Sequence, residues 1–265
     1  MTTQHYSDNE LSFFNQLLRE HNLRIDGRNR MELRSHTLTD NVIKSCFAST
    51  KLSYNNFKNE IIFAIKGELT SLTPTESTDV LVLSIDSMHK AVDNQKMKNQ
   101  IETMLNNLIL SKINITPLKQ QNDTQLVWKL YIDIFIFDEL RLDLIQLLSI
   151  GLKRCLCELK LPKMICFHNE LTNTKEYDLL SNYEELTFDQ NESSPSLAIP
   201  NVYAFSVINN DLLLDPSNEE WKVSNCVIFI STLNTEIIHI QSIGNNIEPV
   251  IILKLKEVIK SIENA

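Results

Sequence analysis

Arg24, Arg28, Arg30 and Arg34 are interleaved with Asp26 and Glu32 around Gly27. Guanidinium groups this dense do one of two things: they pair with nearby acids around a turn, or they offer planar forks to a partner's carboxylate or an RNA phosphate. A second basic group, Lys90, Lys96 and Lys98, lies near the start of an expected helix. It reads either as a solvated helix face or as part of a wall facing an anionic chain. The opposite chemistry stands at Asp138-Glu139-Leu140-Arg141-Leu142-Asp143, where three carboxylates meet one guanidinium. That local excess of negative charge opposes an anion, since one like-charge pair about 5 Å apart costs about 3 kcal/mol at an effective dielectric of about 20. Asp215-Pro216-Ser217 reads as a turn in which the aspartate bonds its own backbone, with Glu219 and Glu220 solvated beside it.

Other chemistries find no support. The 4 glycines are isolated, which excludes the Walker loop and the dinucleotide fingerprint. No Gly-x-Ser-x-Gly elbow is present, and His36, His89 and His239 fall in unrelated segments. Cys155 and Cys157 on a helix point to different faces, and Cys166 with His168 supplies two ligands where zinc needs more, so no metal site is expected. The 5 cysteines, an odd number without a secretory leader, are expected as reduced thiols in the cytosol or nucleus. With no run of 18 apolar residues, no membrane span is expected.

The 265 residues are 43% hydrophobic, enough for a substantial core, and carry a net charge of −9. A domain that holds nucleic acid alone usually has the opposite sign, so any RNA contact is expected to depend on basic neighbours.

These groups must be positioned by recognisable elements. Ser7-x-x-Glu10 is a capping box before a short helix over 8–20. Residues 42–52 and 61–65 read as a hairpin through Asn55-Asn56, and 79–85 as a third strand. Residues 94–111 have helical periodicity, 126–137 alternate as a strand, and 142–159 form a helix apolar on most sides. A short strand follows at 164–167. The run 169–195, rich in acids and ending Ser193-Ser194-Pro195, reads as a solvated connector. Strands at 202–208 and 212–214 flank an Asn209-Asn210 turn, and strands at 226–233 and 237–243 flank Asn234-Thr235. A closing helix starts near Pro249. The order of elements is α+β.

Three blocks, in order, resemble the RNase PH family: Arg24-x-Asp26-Gly27-Arg28 with Glu32-Leu33-Arg34; Leu130 to Phe137 with the helix ending Lys160-Leu161-Pro162; and Asn209 to Glu220. The form Leu-Leu-Asp-Pro-x-x-Glu-Glu is similar to that of the non-catalytic exosome ring subunits. The resemblance implies an RNase PH-like fold of two similar halves, each of mixed β-sheet packed with helices. Its implied layout is an N-terminal helix (1–22), a first half (23–168), an acidic connector (169–196) and a C-terminal half (197–265).

Active members of the family cleave the terminal RNA bond with inorganic phosphate. They hold it in a glycine-glycine-Ser/Thr-Arg loop, where this chain has Asp138 to Asp143 and lacks the glycines. Of their two aspartates six residues apart, Asp215 keeps the first place and Trp221 stands in the second. The resemblance therefore implies a non-catalytic ring subunit, with an active phosphorolytic 3′-exoribonuclease as the alternative. It further implies a heterodimer within a six-membered ring, RNA-binding cap subunits, attached exoribonucleases and RNA in the ring channel. Roles in rRNA maturation and mRNA turnover, and residence in nucleus, nucleolus and cytoplasm, follow from the same likeness. No cofactor is implied. Residues expected to touch RNA or a partner are Arg24, Arg28, Arg34, Lys96 and Lys98.

Overall fold

The computed structural model describes residues 7–21, 23–71, 80–88, 94–120, 123–162, 164–169, 174–179, 198–208 and 211–263. Alternation along the longest strand organises the first half. Leu130, Ile132, Ile134 and Ile136 are fully buried, while Phe135 and Phe137 on the opposite face are exposed. This strand, β6 (Asp123–Ile136), pairs antiparallel with β3 (Asn59–Ser71), and β3 pairs with β2 (Ala48–Tyr54) and β2 with β1 (His36–Asp40). On its other edge β6 runs parallel to β4 (Leu81–Ser87), and the short β5 (Lys119–Gln120) also pairs with β6.

Helix α1 (Asp8–Glu20) begins at the expected capping box, in which Glu10 accepts from the Ser7 amide at 2.7 Å. Helix α2 (Asn94–Leu108) lies against β4. Helix α3 (Ile145–Cys157), entered through a 3-10 turn at Leu142–Leu144, packs on β2 and β3 on one side and on β9 (Asn201–Ile208) on the other. Its nearly all-apolar surface follows from that position between two sheets. Gly151 permits the approach, because a Cβ there would lie 2.2 Å from the buried Phe63 ring.

The second sheet has the order β10 (Asp211–Leu214), β9, β11 (Cys226–Leu233), β12 (Glu236–Gly244), all antiparallel. One face, with Val202, Ala204, Val227 and Phe229, joins the core around α3. The other, with Phe205, Val207, Ile228 and Ile230, is covered by Ile251, Leu255 and Ile259 of α5 (Pro249–Glu263). Where β10 stops, buried Gln146 takes over its ladder, donating to the Val202 carbonyl at 2.9 Å and accepting from the Ala204 amide at 2.7 Å.

Three expectations change. The first strand is β1, beginning at His36, and a loop with Asn41 at φ 58° separates it from β2. Residues 174–179, assigned to the acidic connector, form β8 (Thr174–Leu179), paired with β7 (Met164–Asn169) in a two-stranded ribbon. Charged residues in a two-stranded ribbon imitate the composition of a linker. Finally, a helical turn α4 (Asn218–Val223) follows β10 where only a turn was expected. Residues 170–173 and 180–196 of the connector and the Asn209-Asn210 turn lie outside the described residues. The strands flanking that turn meet at Ile208 and Asp211. The Asn234-Thr235 turn has both residues left-handed, at φ 50° and 66°, as a two-residue hairpin requires.

Candidate functional site

The arginine-rich segment 24–34 crosses between the two halves and is fixed by their carboxylates. The Asp26-Gly27 turn forms as its sequence suggests, with Gly27 at φ 81° and its amide donating to the Arg24 carbonyl. This turn sends Arg24 inward. Its side chain has 0% exposure and donates to both Glu220 oxygens at 2.8 and 2.6 Å, and to the Leu214 and Asp215 carbonyls at 2.8 and 2.9 Å. The expectation that Arg24 reaches RNA or a partner is thereby corrected: desolvated and fully donated, it is an internal clasp.

Glu220 is corrected as well. It is fully buried, and it also accepts from the Ser217 amide at 2.8 Å as the third residue of α4, completing a capping box. The signal Ser217-x-x-Glu220 stands in the sequence and locates both the helix start and the inward carboxylate.

Asp215 is more than a turn residue. Its backbone is left-handed at φ 52°, and its buried carboxylate accepts from the Arg34 amide at 2.7 Å, from Arg34 Nη2 at 2.6 Å and from Arg28 Nη1 at 3.3 Å. Arg28 also bridges to Asp26 at 2.7 Å. Burial would raise the Asp26 carboxyl, but Arg28 outweighs it and holds it below the usual range.

Arg34 continues to the first half, donating to an Asp143 carboxylate oxygen at 3.0 Å and to the Asp143 carbonyl. Burial works against the charge on Arg34, yet Asp215 and then Asp143 outweigh it, so the guanidinium is held firmly protonated. The other Asp143 oxygen binds Arg141 at 3.0 Å, and Arg141 also reaches Asp138 at 3.5 Å. Burial likewise opposes charge at Arg141, and Asp143 followed by Asp138 overcomes it. Asp138 accepts from the Tyr54 hydroxyl at 3.1 Å and from the Asn59 amide.

These groups surround an open cleft of about 490 Å³, bounded also by Asn55, Asn56 and Asn218. The sequence shows one arginine at the 138–143 stretch; the fold brings Arg28 and Arg34 to the same cleft. It also brings Asp26 and Glu219, whereas Glu139 is exposed and lies outside the lining. Three arginines then face four lining carboxylates, with Asp215 buried behind them, so the charge excess stays at −2. Each of the three guanidiniums already has carboxylate partners. An incoming oxyanion must displace an aspartate that is closer, fixed and covalently tethered.

The remaining candidates lie elsewhere. Lys98 pairs with Asp86 at 3.1 Å and Glu102 at 3.9 Å, tying α2 to β4. Lys96 is exposed, and Lys90 is outside the described residues. Neither Lys96 nor Lys98 lines the cleft. Cys155 is buried and Cys157 exposed, as their spacing suggests, and burial pushes the Cys155 thiol up to about 12. Among the described residues no group of three His, Cys, Asp or Glu side chains could hold a metal ion. No helix among them is long and apolar enough to cross a membrane.

Comparison with known proteins agrees with this fold. Residues 200–265 match the 3′ exoribonuclease family, domain 2. Over 215 residues, 81% of this chain and 76% of the other, the chain is 23% identical to the exosome complex component RRP42 of Saccharomyces cerevisiae. Among solved structures it superposes on a chain of an archaeal exosome core with a TM-score of 0.64 at 19% identity, covering 96% of this chain and 93% of that one. A chain of the Archaeoglobus fulgidus exosome with RNA bound to the active site gives 0.66 at 18% identity, covering 96% and 95%. Rice Rrp46 gives 0.58 at 11% identity, covering 90% and 93%. The α+β architecture is RNase PH-like.

Proposed function

We propose that this RNase PH-like chain, a homologue of the exosome component RRP42, is a non-catalytic structural subunit of an exosome-type ring. In that role it supports 3′-to-5′ degradation and processing of RNA, including rRNA maturation and mRNA turnover, without breaking the RNA bond itself. One observation carries the reading: Asp143 occupies both Arg34 and Arg141 in the cleft, at the stretch where the resemblance puts the phosphate loop of active members. Trp221, which the resemblance puts in the place of the second catalytic acid, lies 5.7 Å from the Phe229 ring, centroid to centroid, as part of the core packing.

A ring role also suits the surface. The uncovered face of the first sheet leaves Phe135 at 39% and Phe137 at 43% exposure, and the outer side of α5 leaves Leu253 at 63%. Apolar faces of this kind suit permanent interfaces. The partners in this reading are other RNase PH-like subunits, RNA-binding cap subunits, attached exoribonucleases and RNA in the channel. The sites of action are nucleus, nucleolus and cytoplasm. Arg28 and Arg34 then serve as internal struts, leaving Lys96 as the exposed basic candidate for RNA among those named from sequence.

The competing phosphorolytic reading draws on the three arginines of the cleft. Incubating the purified chain with RNA and inorganic phosphate separates the two: the scaffold reading expects no nucleoside diphosphates. Affinity purification from cells tests the assembly claim, with other ring subunits expected to co-elute in stoichiometric amounts.

A further inference from the structure

We propose that Phe57 is a stacking platform for an unpaired base of single-stranded RNA at the mouth of the cleft. This rests on the ring-subunit reading above and names one contact within it.

The hairpin between β2 and β3 closes at the Tyr54–Asn59 pair, leaving residues 55–58 as its tip. Asn55, Asn56 and Phe57 are all left-handed, at φ 53°, 54° and 63°. Asparagine tolerates this region, whereas an aromatic residue occupies it at a steric cost. Burial does not compensate for that cost, since Phe57 is 70% exposed. The tip therefore holds an aromatic face out to solvent, in a backbone conformation glycine or asparagine would adopt more easily.

The residues around it indicate what such a face meets. Asn55, Asn56, Lys58 and Asn59 flank the ring, and the three asparagines line the cleft. An exposed aromatic among amides and an exposed lysine does not resemble the core of a protein interface, which is depleted in lysine. It does match the chemistry of single-strand binding: a π-face for any base, amides for base edges, and a cation near the backbone. Because carboxylates already hold Arg28, Arg34 and Arg141, phosphates stay outside the cleft. The base stacks at the rim while the backbone passes Lys58, so RNA is held without being cut.

The test uses the full-length chain and the ring reconstituted with it, with a labelled single-stranded oligoadenylate as probe. Phe57→Ala is expected to weaken binding to the ring by about 5- to 100-fold without altering ring assembly by native mass measurement. Phe57→Trp is expected to retain affinity, and its indole fluorescence to be quenched as the probe binds. Unchanged affinity in Phe57→Ala, or no quenching in Phe57→Trp, overturns the proposal. Loss of ring assembly in Phe57→Ala also overturns it, because the tip would then be a protein contact. Failure of the unaltered chain to enter a ring is a separate result, and it defeats the ring-subunit reading itself.

Discussion

Arg24 and Glu220 form a two-point ion pair, at 2.8 and 2.6 Å, with neither side chain exposed. It pins the segment before β1 to the helical turn after β10. Removing one member strands the other charge in a dry site, which costs about 3–5 kcal/mol. Glu220→Gln, which retains an oxygen for the helix cap, is therefore expected to lower the unfolding free energy from urea denaturation by an amount in that range. Combining it with Arg24→Met is expected to cost less than the sum of the two changes, by at least about 1 kcal/mol.

Asp143 is the group that holds both Arg34 and Arg141 in the cleft. Asp143→Ser leaves Arg34 to Asp215 and Arg141 to Asp138. Stability is expected to fall by about 1–3 kcal/mol. Added sulfate or phosphate is expected to recover part of it, because an anion then binds the native state alone. Thermal melting in matched salts checks this, and the unaltered chain is expected to show no specific recovery.

Tyr54 offers a spectroscopic handle on the same network. Burial, then the Asp138 charge, pushes its hydroxyl up to about 12 from an ordinary 10.0. A raised tyrosine favours the folded state while protonated, so this contribution is present below pH 10 and is lost as pH rises from 10 towards 12. In Asp138→Asn the phenolate is expected to appear at lower pH. The difference between the two ultraviolet titrations isolates Tyr54 from Tyr203, which is also raised to about 12.

Gly151 marks the closest approach of α3 to β3. Alanine there would normally favour a helix by about 1 kcal/mol, but its Cβ would lie 2.2 Å from the Phe63 ring. Overpacking dominates, and Gly151→Ala is expected to destabilise by about 1–3 kcal/mol in chemical denaturation. A companion Phe63→Leu is expected to relieve much of the clash.

Much of the fold is legible because its signals are local. The capping box at Ser7, the alternation of residues 126–137 and the paired turn residues Asn234 and Thr235 each specify their own conformation. The centre of the candidate site depends on partners far apart in sequence. Arg34 binds Asp143 across 109 residues and Asp215 across 181, and no spacing rule links them. Charge composition at 138–143 shows one arginine where the fold supplies three. Glu220 was readable: Ser217-x-x-Glu220 is as clear a cap as the one at Ser7, but Asp215-Pro216 beside it reads as a simple turn.

The central claim is that carboxylates of this chain fill the place of the attacking anion. Its most direct test is phosphate-dependent release of nucleoside diphosphates from single-stranded RNA by the purified chain, alone and within a ring of inactive neighbours. The account predicts no release above a no-protein control at any phosphate concentration. Release that rises and saturates with phosphate, and persists when every other subunit is inactive, would contradict it.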